Sequence, residues 1–433
     1  DFWTQVIDIE LPPIVRFERQ GGGKDAVDSA AKLLSEAKFP VILSGAGVVI
    51  GDAIEDCKKL AEKLDAPVCN GYQHNDSFPG SHPLAVGPLG YNGSKAAMEL
   101  ISKADVVLAL GTRLNPFSTL PGYGIDYWPK DATIIQVDMN ADRIGLTKKV
   151  TVGICGDAKM VAQQILQKLS SNAGDNGRED RKNLIHQTKS AWLQTLTSLD
   201  HEDDDPGTVW NKEARERDKD RMSPRQAWRA IQSGLPEDVI ISSDIGNNCA
   251  IGNAYPTFEK PRKYLAPGLF GPCGYGFPSI LGAKIGCPDT PVIGFAGDGA
   301  FGISMNEMSS CAREEWPSIT MVIFRNYQWG AEKRNSILWF DDNFVGTELD
   351  PELSYAKVAN ACGLKGVIAN TMEETTKAIK QSCLDQKKGI TTFIEVVLNQ
   401  ELGEPFRRDA MKKPVKVAGI SKNDMRPQKS LVS

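Results

Sequence analysis

The sequence predicts an α/β protein made of two doubly wound parallel-sheet domains. Three observations predict it. Apolar strand-like runs alternate with helical patterns twice along the chain. A polar, highly charged stretch, 171–222, divides the two series. Finally, Val292–Ala296, a Gly297-Asp298-Gly299 turn, a helical pattern over 303–315 and Ile319–Phe324 read as one β-α-β unit. Such a crossover makes its two strands parallel.

Taken in order, residues 1–19 read as an extended connector containing Pro12 and Pro13. Gly21-Gly22-Gly23 punctuates the chain, and Ala26, Ala30, Leu33 and Leu34 then recur at helical spacing. Strand-like runs follow at Val41–Leu43, Val106–Leu110 and Thr133–Val137, separated by helical stretches around 52–64 and 94–102 and closed by a helix over 155–169. This gives a first domain over 20–170. Residues 171–222, with Glu202-Asp203-Asp204-Asp205-Pro206-Gly207 inside them and a helix around 180–199, read as a linker lying on the surface. A second domain over 223–400 opens at Ser223-Pro224, an N-cap followed by proline at the first helical position. Its strand-like runs are Val239–Ser242, Val292–Ala296, Thr320–Phe324 and Thr391–Val396. The tail, 401–433, is basic, contains proline and lacks periodicity.

Composition narrows the function classes. Hydrophobic residues make up 41% and charged residues 24% of 433 residues, enough to fill large cores. A net charge of −5 without a basic block argues against a nucleic-acid or membrane-surface partner. Nine scattered cysteines, none in a C-x-x-C pair, read as buried reduced thiols of a cytoplasmic protein. The chain starts at Asp1 rather than Met and is read as a fragment or processed product.

The β-α-β unit carries the chemistry. Ligands of open α/β sheets bind beyond the carboxyl ends of the strands. Asp298 and Asn326 both fall there, and they come within a few ångströms of each other if their strands are neighbours. A carboxylate oxygen and an amide oxygen are hard donors suited to Mg²⁺ bridging phosphates. Gly297 and Gly299 allow close backbone approach, and the amides near Gly299 and Ala300 can bind phosphate oxygens. Taken alone, Gly-Asp-Gly would more often be an ordinary turn; the flanking strands and the asparagine raise its specificity.

This arrangement resembles the thiamine-diphosphate motif of acetolactate-synthase-like enzymes: Gly-Asp-Gly, followed after one crossover by Asn-Asn. The resemblance implies Asp298 and Asn326 as metal ligands, with the Gln328 carbonyl as the third. Arg325 stands where the first asparagine is usual. Gly271-Pro272-Cys273-Gly274-Tyr275-Gly276-Phe277-Pro278 is similar to the family's Gly-Thr-Met-Gly-Phe-Gly-Leu-Pro segment. That implies contacts from the Gly271 carbonyl and the Cys273 N–H to the aminopyrimidine, with the Cys273 side chain where a large apolar residue usually bends the cofactor. Asp244-Ile245-Gly246-Asn247-Asn248 resembles the loop reaching the diphosphate, making Asn247 and Asn248 cofactor-binding candidates.

The whole chain is similar to the acyl-transferring branch of that superfamily. The stretches that carry this are Asp1–Asp8, Phe39–Val49 and Phe324–Asn335. The resemblance implies thiamine diphosphate and Mg²⁺ as cofactors, sulfoacetaldehyde and inorganic phosphate as substrates, and acetyl phosphate and sulfite as products, with the acetyl group carried on the cofactor. It also implies a homodimer or homotetramer with the site at a subunit interface. The family's pyrimidine-binding domain, which holds the cofactor-activating glutamate, is expected to lie outside residues 1–433, leaving these residues inactive by themselves. Arg325, Lys333, Arg334, Arg407 and Arg408 are candidates for the two substrate anions, since arginine suits bidentate oxyanion binding. Arg325 is also the tentative catalytic residue. His74, His82, His186 and His201 all precede the second domain and are read as structural or solvated. Ser44-Gly45-Ala46-Gly47 lacks the third glycine of a dinucleotide fingerprint, so a structural role is favoured there. Two alternatives stay open: another enzyme of this class, such as a flavin-containing acetolactate synthase or a 2-oxoacid decarboxylase, or a non-catalytic nucleotide-binding module.

Overall fold

In the computed structural model, residues 10–13, 18–198, 216–268, 270–339 and 344–402 are described. The connector stretch Asp1–Asp8, the acidic run at 202–207, His201, Arg407 and Arg408 lie outside the described residues.

Two six-stranded sheets make up the described fold, and every pairing between strands is parallel. The first contains β1 (Pro40–Ser44), β2 (Val68–Asn70), β3 (Ala85–Pro88), β4 (Val106–Leu110), β5 (Thr133–Asp138) and β6 (Val152–Cys155), in the order β3-β2-β1-β4-β5-β6. The second contains β7 (Ile240–Ser243), β8 (Tyr264–Leu265), β9 (Val292–Gly297), β10 (Thr320–Arg325), β11 (Lys365–Ala369) and β12 (Thr392–Val397), in the order β11-β12-β10-β9-β7-β8. The first order reverses once, at β1, and the second reverses at β7 and again at β12; where the order reverses the connections diverge and a ligand crevice can form.

The central strands are continuous apolar runs because helices cover both faces. β1, β4 and β10 are buried along their whole length. On one face of the second sheet, Trp228 packs on Phe295 and Phe324 with ring centroids 4.8 and 5.3 Å apart. On the other, Phe277 and Phe301 meet Phe393. Truncating Trp228 to Ala costs about 3–5 kcal/mol on the usual scale for a buried aromatic. Its Nε1 also donates to the Asn248 carbonyl at 2.7 Å, tying this core to a candidate site loop.

Helix starts follow the sequence signals. Ser223 forms a capping box with Gln226, and Pro224 stands at the first helical position of Pro224–Gly234. Asp157 caps Ala158–Lys168 by accepting from the Lys159 and Met160 amides.

Several expectations are corrected. The helix expected over 303–315 begins earlier and is broken into Asp298–Ser304, a 3₁₀ turn at Met305–Glu307, and Met308–Cys311. Gly299, Gly302 and Ser304 are weak helix formers, and the turn falls where they end. The charged stretch is not merely surface linker. In its helix Arg178–Ser198, Arg181 is 1% exposed and donates to the carbonyls of Lys38, Leu64, Asp65, Gly174 and Asn176. A buried guanidinium needs that many acceptors, and supplying them fastens the helix to the first sheet. The cysteines are all free, but Cys155 and Cys287 are exposed.

The two sheets are joined by the loop after β2. Asn75 Nδ2 donates to the carbonyls of Asn253 (2.8 Å) and Pro256 (2.9 Å), and Asp76 accepts from the Lys263 and Tyr264 amides. No described helix is long and apolar enough to cross a membrane.

Candidate functional site

β9 and β10 are neighbours, with Phe324 opposite Gly297. Their carboxyl ends therefore deliver Asp298 and Asn326 to one place, as the crossover argument expects. The Asn326 amide donates to Asp298 Oδ2 at 3.1 Å, and the Tyr327 amide donates to the same oxygen at 2.6 Å. The Gly299 amide donates to Oδ1 at 3.0 Å. Asp298 is fully buried, and burial pushes its carboxyl up to about 6 even though Arg325 pulls the other way. An anion here calls for cationic company.

Part of that company is Arg325. Its Nη1 lies 2.9 Å from Asp298 Oδ2, and its Nη2 donates to the carbonyls of Asp350 and, at 2.8 Å, Leu353. Its Nε lies 3.9 Å from Glu395 Oε1, and its guanidinium sits over the Tyr327 and Tyr355 rings. With 0% exposure, this guanidinium faces into the protein. Against the expectation that Arg325 grips a substrate anion directly, both of its Nη groups donate to internal acceptors, and its Nε is buried without a hydrogen bond.

The other basic candidates in the described region also have protein partners. Lys333 pairs with Glu348, and Arg334 donates to the Tyr91 hydroxyl. Tyr91 in turn donates to Asn247 Oδ1 at 3.3 Å, so a residue of the first domain braces a cofactor-binding candidate.

Whether this place fits a diphosphate and a divalent cation can be tested on its orphaned atoms. Asn326 Oδ1, Gln328 Oε1, Asn247 Nδ2 and Asn248 Oδ1 are buried without a hydrogen-bond partner. Unpaired buried polar atoms are costly, so their retention points to a ligand. Space has been kept clear as well. A Cβ at Gly330 would stand 3.1 Å from Asn247 Nδ2, and one at Gly299 would stand 2.7 Å from the Trp329 indole. Gly299 thus lets Trp329 lie against the Asp298 turn. The donor set of oxygens and amides suits Mg²⁺ and phosphate, so the residues fit the group.

The Gly271–Pro278 segment reaches the same end of the sheet. The carboxylate of Asp244, just beyond β7, accepts from the Ile245 and Gly274 amides at Oδ1 and from the Gly276 amide at Oδ2. Ser304 Oγ donates to the Gly274 carbonyl. Gly271 and Gly274 take left-handed φ of 68° and 87°, a conformation glycine adopts without a steric penalty. Cys273 is half-buried, and burial raises its thiol. The role of Asp244 as the staple of this loop escaped sequence reasoning. Its signal was a lone carboxylate directly after a buried strand.

In the first domain, the Ser44–Gly47 turn borders a cavity of about 630 Å³ with Gly111, Arg113 and Asp138. Backbone packing accounts for its glycines: a Cβ at Gly45 would stand 2.6 Å from the Gly111 carbonyl oxygen. Of the histidines, His82 lies 3.2 Å from Glu62 and His74 is pushed down to about 4 by burial.

Residues 27–168 match the family model "Thiamine pyrophosphate enzyme, central domain", and residues 244–396 match "Thiamine pyrophosphate enzyme, C-terminal TPP binding domain". Fold and site together are those of a thiamine pyrophosphate enzyme. The chain is 78% identical over 431 residues to a "Probable sulfoacetaldehyde acetyltransferase" of Rhizobium meliloti (strain 1021), covering 100% of this chain and 73% of the relative. It is 73% identical over 428 residues to the sulfoacetaldehyde acetyltransferase of Roseovarius nubinhibens, covering 99% of this chain and 71% of that protein. A probable acetolactate synthase large subunit of Methanococcus aeolicus is 28% identical over 363 residues, 82% of this chain and 58% of its own length. The chain belongs to the sulfoacetaldehyde acetyltransferase family. The first two matches span nearly all of this chain and 73% and 71% of the relatives, and the expectation that residues 1–433 are inactive by themselves is not borne out by them.

Proposed function

We propose that this protein transfers an acetyl group: sulfoacetaldehyde and inorganic phosphate become acetyl phosphate and sulfite. The carbon–sulfur bond breaks and a carbon–oxygen bond to phosphate forms. The aldehyde carbon is oxidised to an acyl carbon while its neighbour is reduced to a methyl group, so no external oxidant is needed. Thiamine diphosphate, when bound, supplies the carbanion chemistry.

What the chain contributes is placement and charge. Asp298 and Asn326, with the Gln328 carbonyl, would hold Mg²⁺, which when bound would offset the charge of the diphosphate. Asn247, Asn248 and the Gly297–Ala300 turn carry the diphosphate oxygens. Gly271 and Cys273 contact the aminopyrimidine from a loop that Asp244 keeps rigid. Arg325 acts from beneath, as an internal counter-ion for Asp298 and Glu395. A homodimer or homotetramer in the cytoplasm, with the cofactor at a subunit interface, completes the reading. One observation carries it: the juxtaposition of a buried Asp298 carboxylate with the orphaned Asn326 Oδ1.

The test is product analysis on the holoenzyme. Sulfoacetaldehyde and phosphate should yield sulfite and acetyl phosphate in equal amounts, with at least about 100-fold loss in Asp298→Asn, the scale set by removing a buried charged partner. Acetolactate or CO₂ from a 2-oxoacid, without sulfite release from sulfoacetaldehyde, would assign the protein to another branch of the class.

A further inference from the structure

The chain leaving β12 runs beside the loop that presents Asn326 and Gln328. The Leu398 amide donates to the Arg325 carbonyl at 3.0 Å, which carries the β10–β12 pairing past the strand ends. Two residues later, Gln400 meets the loop twice. Its side-chain Nε2 donates to the Asn326 carbonyl at 3.1 Å, and its own backbone carbonyl accepts from Gln328 Nε2 at 3.1 Å. Gln400 and Gln328 are each 3% exposed and Asn326 is 2% exposed, so water competes little for these bonds.

The loop needs holding. Tyr327, between the two clamped residues, has φ of 62°. A side chain in the left-handed region costs about 1–2 kcal/mol and persists only where its surroundings impose it. The Gln400 carboxamide is itself fixed. Its Nε2 also donates to Glu348 Oε2 at 3.1 Å, and its Oε1 accepts from Lys333 Nζ at 3.5 Å. The Lys333–Glu348 ion pair therefore braces the clamp.

We propose that Gln400 is a positioning residue for the metal loop. It holds Asn326 and Gln328 on either side of the strained Tyr327, so that they are ready to bind the cation before it arrives. Lys333 and Glu348 serve this purpose by orienting the carboxamide. The inference rests on reading Asp298, Asn326 and Gln328 as the cation site.

Mn²⁺, followed by its electron paramagnetic resonance in the presence of thiamine diphosphate, measures the cation's dissociation constant independently of turnover. Gln400→Met keeps the size and the backbone carbonyl while removing the donor to Asn326. It should raise the Mn²⁺ dissociation constant about fivefold or more, the loss of one buried hydrogen bond. At saturating Mn²⁺ its kcat should return to within about twofold of wild type. Gln400→Leu, which also lacks the donor and adds no charge, should shift Mn²⁺ binding the same way and serves where the Met variant fails to fold. A lowered Tm with Mn²⁺ affinity unchanged would reduce Gln400 to a packing role. A raised KM for phosphate or sulfoacetaldehyde with unchanged Mn²⁺ affinity would move it to the substrate. Both outcomes overturn the proposal. Asp298→Asn is the control for the site itself: if it leaves Mn²⁺ binding intact, the cation-site reading fails, whatever Gln400 does.

Discussion

Arg325 Nη1 lies 2.9 Å from Asp298 Oδ2, and both side chains are closed off from solvent. Breaking a buried pair by removing one partner strands the other charge, at about 3–5 kcal/mol. Arg325→Asn should therefore lower stability by about 3 kcal/mol, because Asp298 and two loop carbonyls lose their donor and Glu395 loses its counter-charge. Chemical denaturation measures it. In the folded, cofactor-saturated variant, KM for phosphate and for sulfoacetaldehyde should stay within about twofold of wild type. An equally stable variant with a raised KM would return Arg325 to the substrate.

Asp244 makes the second prediction. Its two oxygens accept three backbone N–H groups from Ile245, Gly274 and Gly276. An asparagine turns one acceptor into a donor facing another donor. Asp244→Asn should cost about 1–3 kcal/mol and weaken thiamine diphosphate binding, because the Gly271–Pro278 loop loses its staple. Calorimetric titration with the cofactor checks it; unchanged affinity would show that the loop holds its shape without Asp244.

His74 sets a pH dependence. Burial first, then the nearby positive charge of Arg113, pushes its imidazole from 6.5 down to about 4. Between those values the unfolded chain binds more protons than the folded one, so stability rises with pH. This contribution is fully present above about 6.5 and is lost as pH falls toward 4. From pH 6.5 to 5, wild type should lose roughly 1.5 kcal/mol more than His74→Gln. Parallel stability curves for the two proteins would show that His74 does not carry the effect.

Most of the framework was legible because long buried strands leave a continuous apolar record. Val106–Leu110 emerges as read, β5, β9 and β10 run one residue longer at the carboxyl end, and β12 is shifted by one residue at each end. β2 and β8, at three and two residues, were too short to show any period. β11 contains Lys365 and Gly366 and lies at the sheet edge, where apolar continuity is not required. The Asp298–Asn326 pairing was legible for a topological reason: one crossover places neighbouring strand ends side by side. The direction in which Arg325 points was not. It needed Glu395, a charge inside the buried strand Thr392–Val397, to be read as its companion. Gln400 left no local signal, since its partners come from a distant stretch of chain.

The central claim is that Asp298 and Asn326 together hold the cation that anchors thiamine diphosphate. Its most direct measurement is Mn²⁺ binding, with and without thiamine diphosphate, to wild type, Asp298→Asn and Asn326→Ala. Wild type should bind Mn²⁺ in a cofactor-dependent manner, and both variants should bind it at least about tenfold more weakly, in line with the loss of a hydrogen-bonded charged or amide ligand. Mn²⁺ affinities within about twofold of wild type in both variants would contradict it.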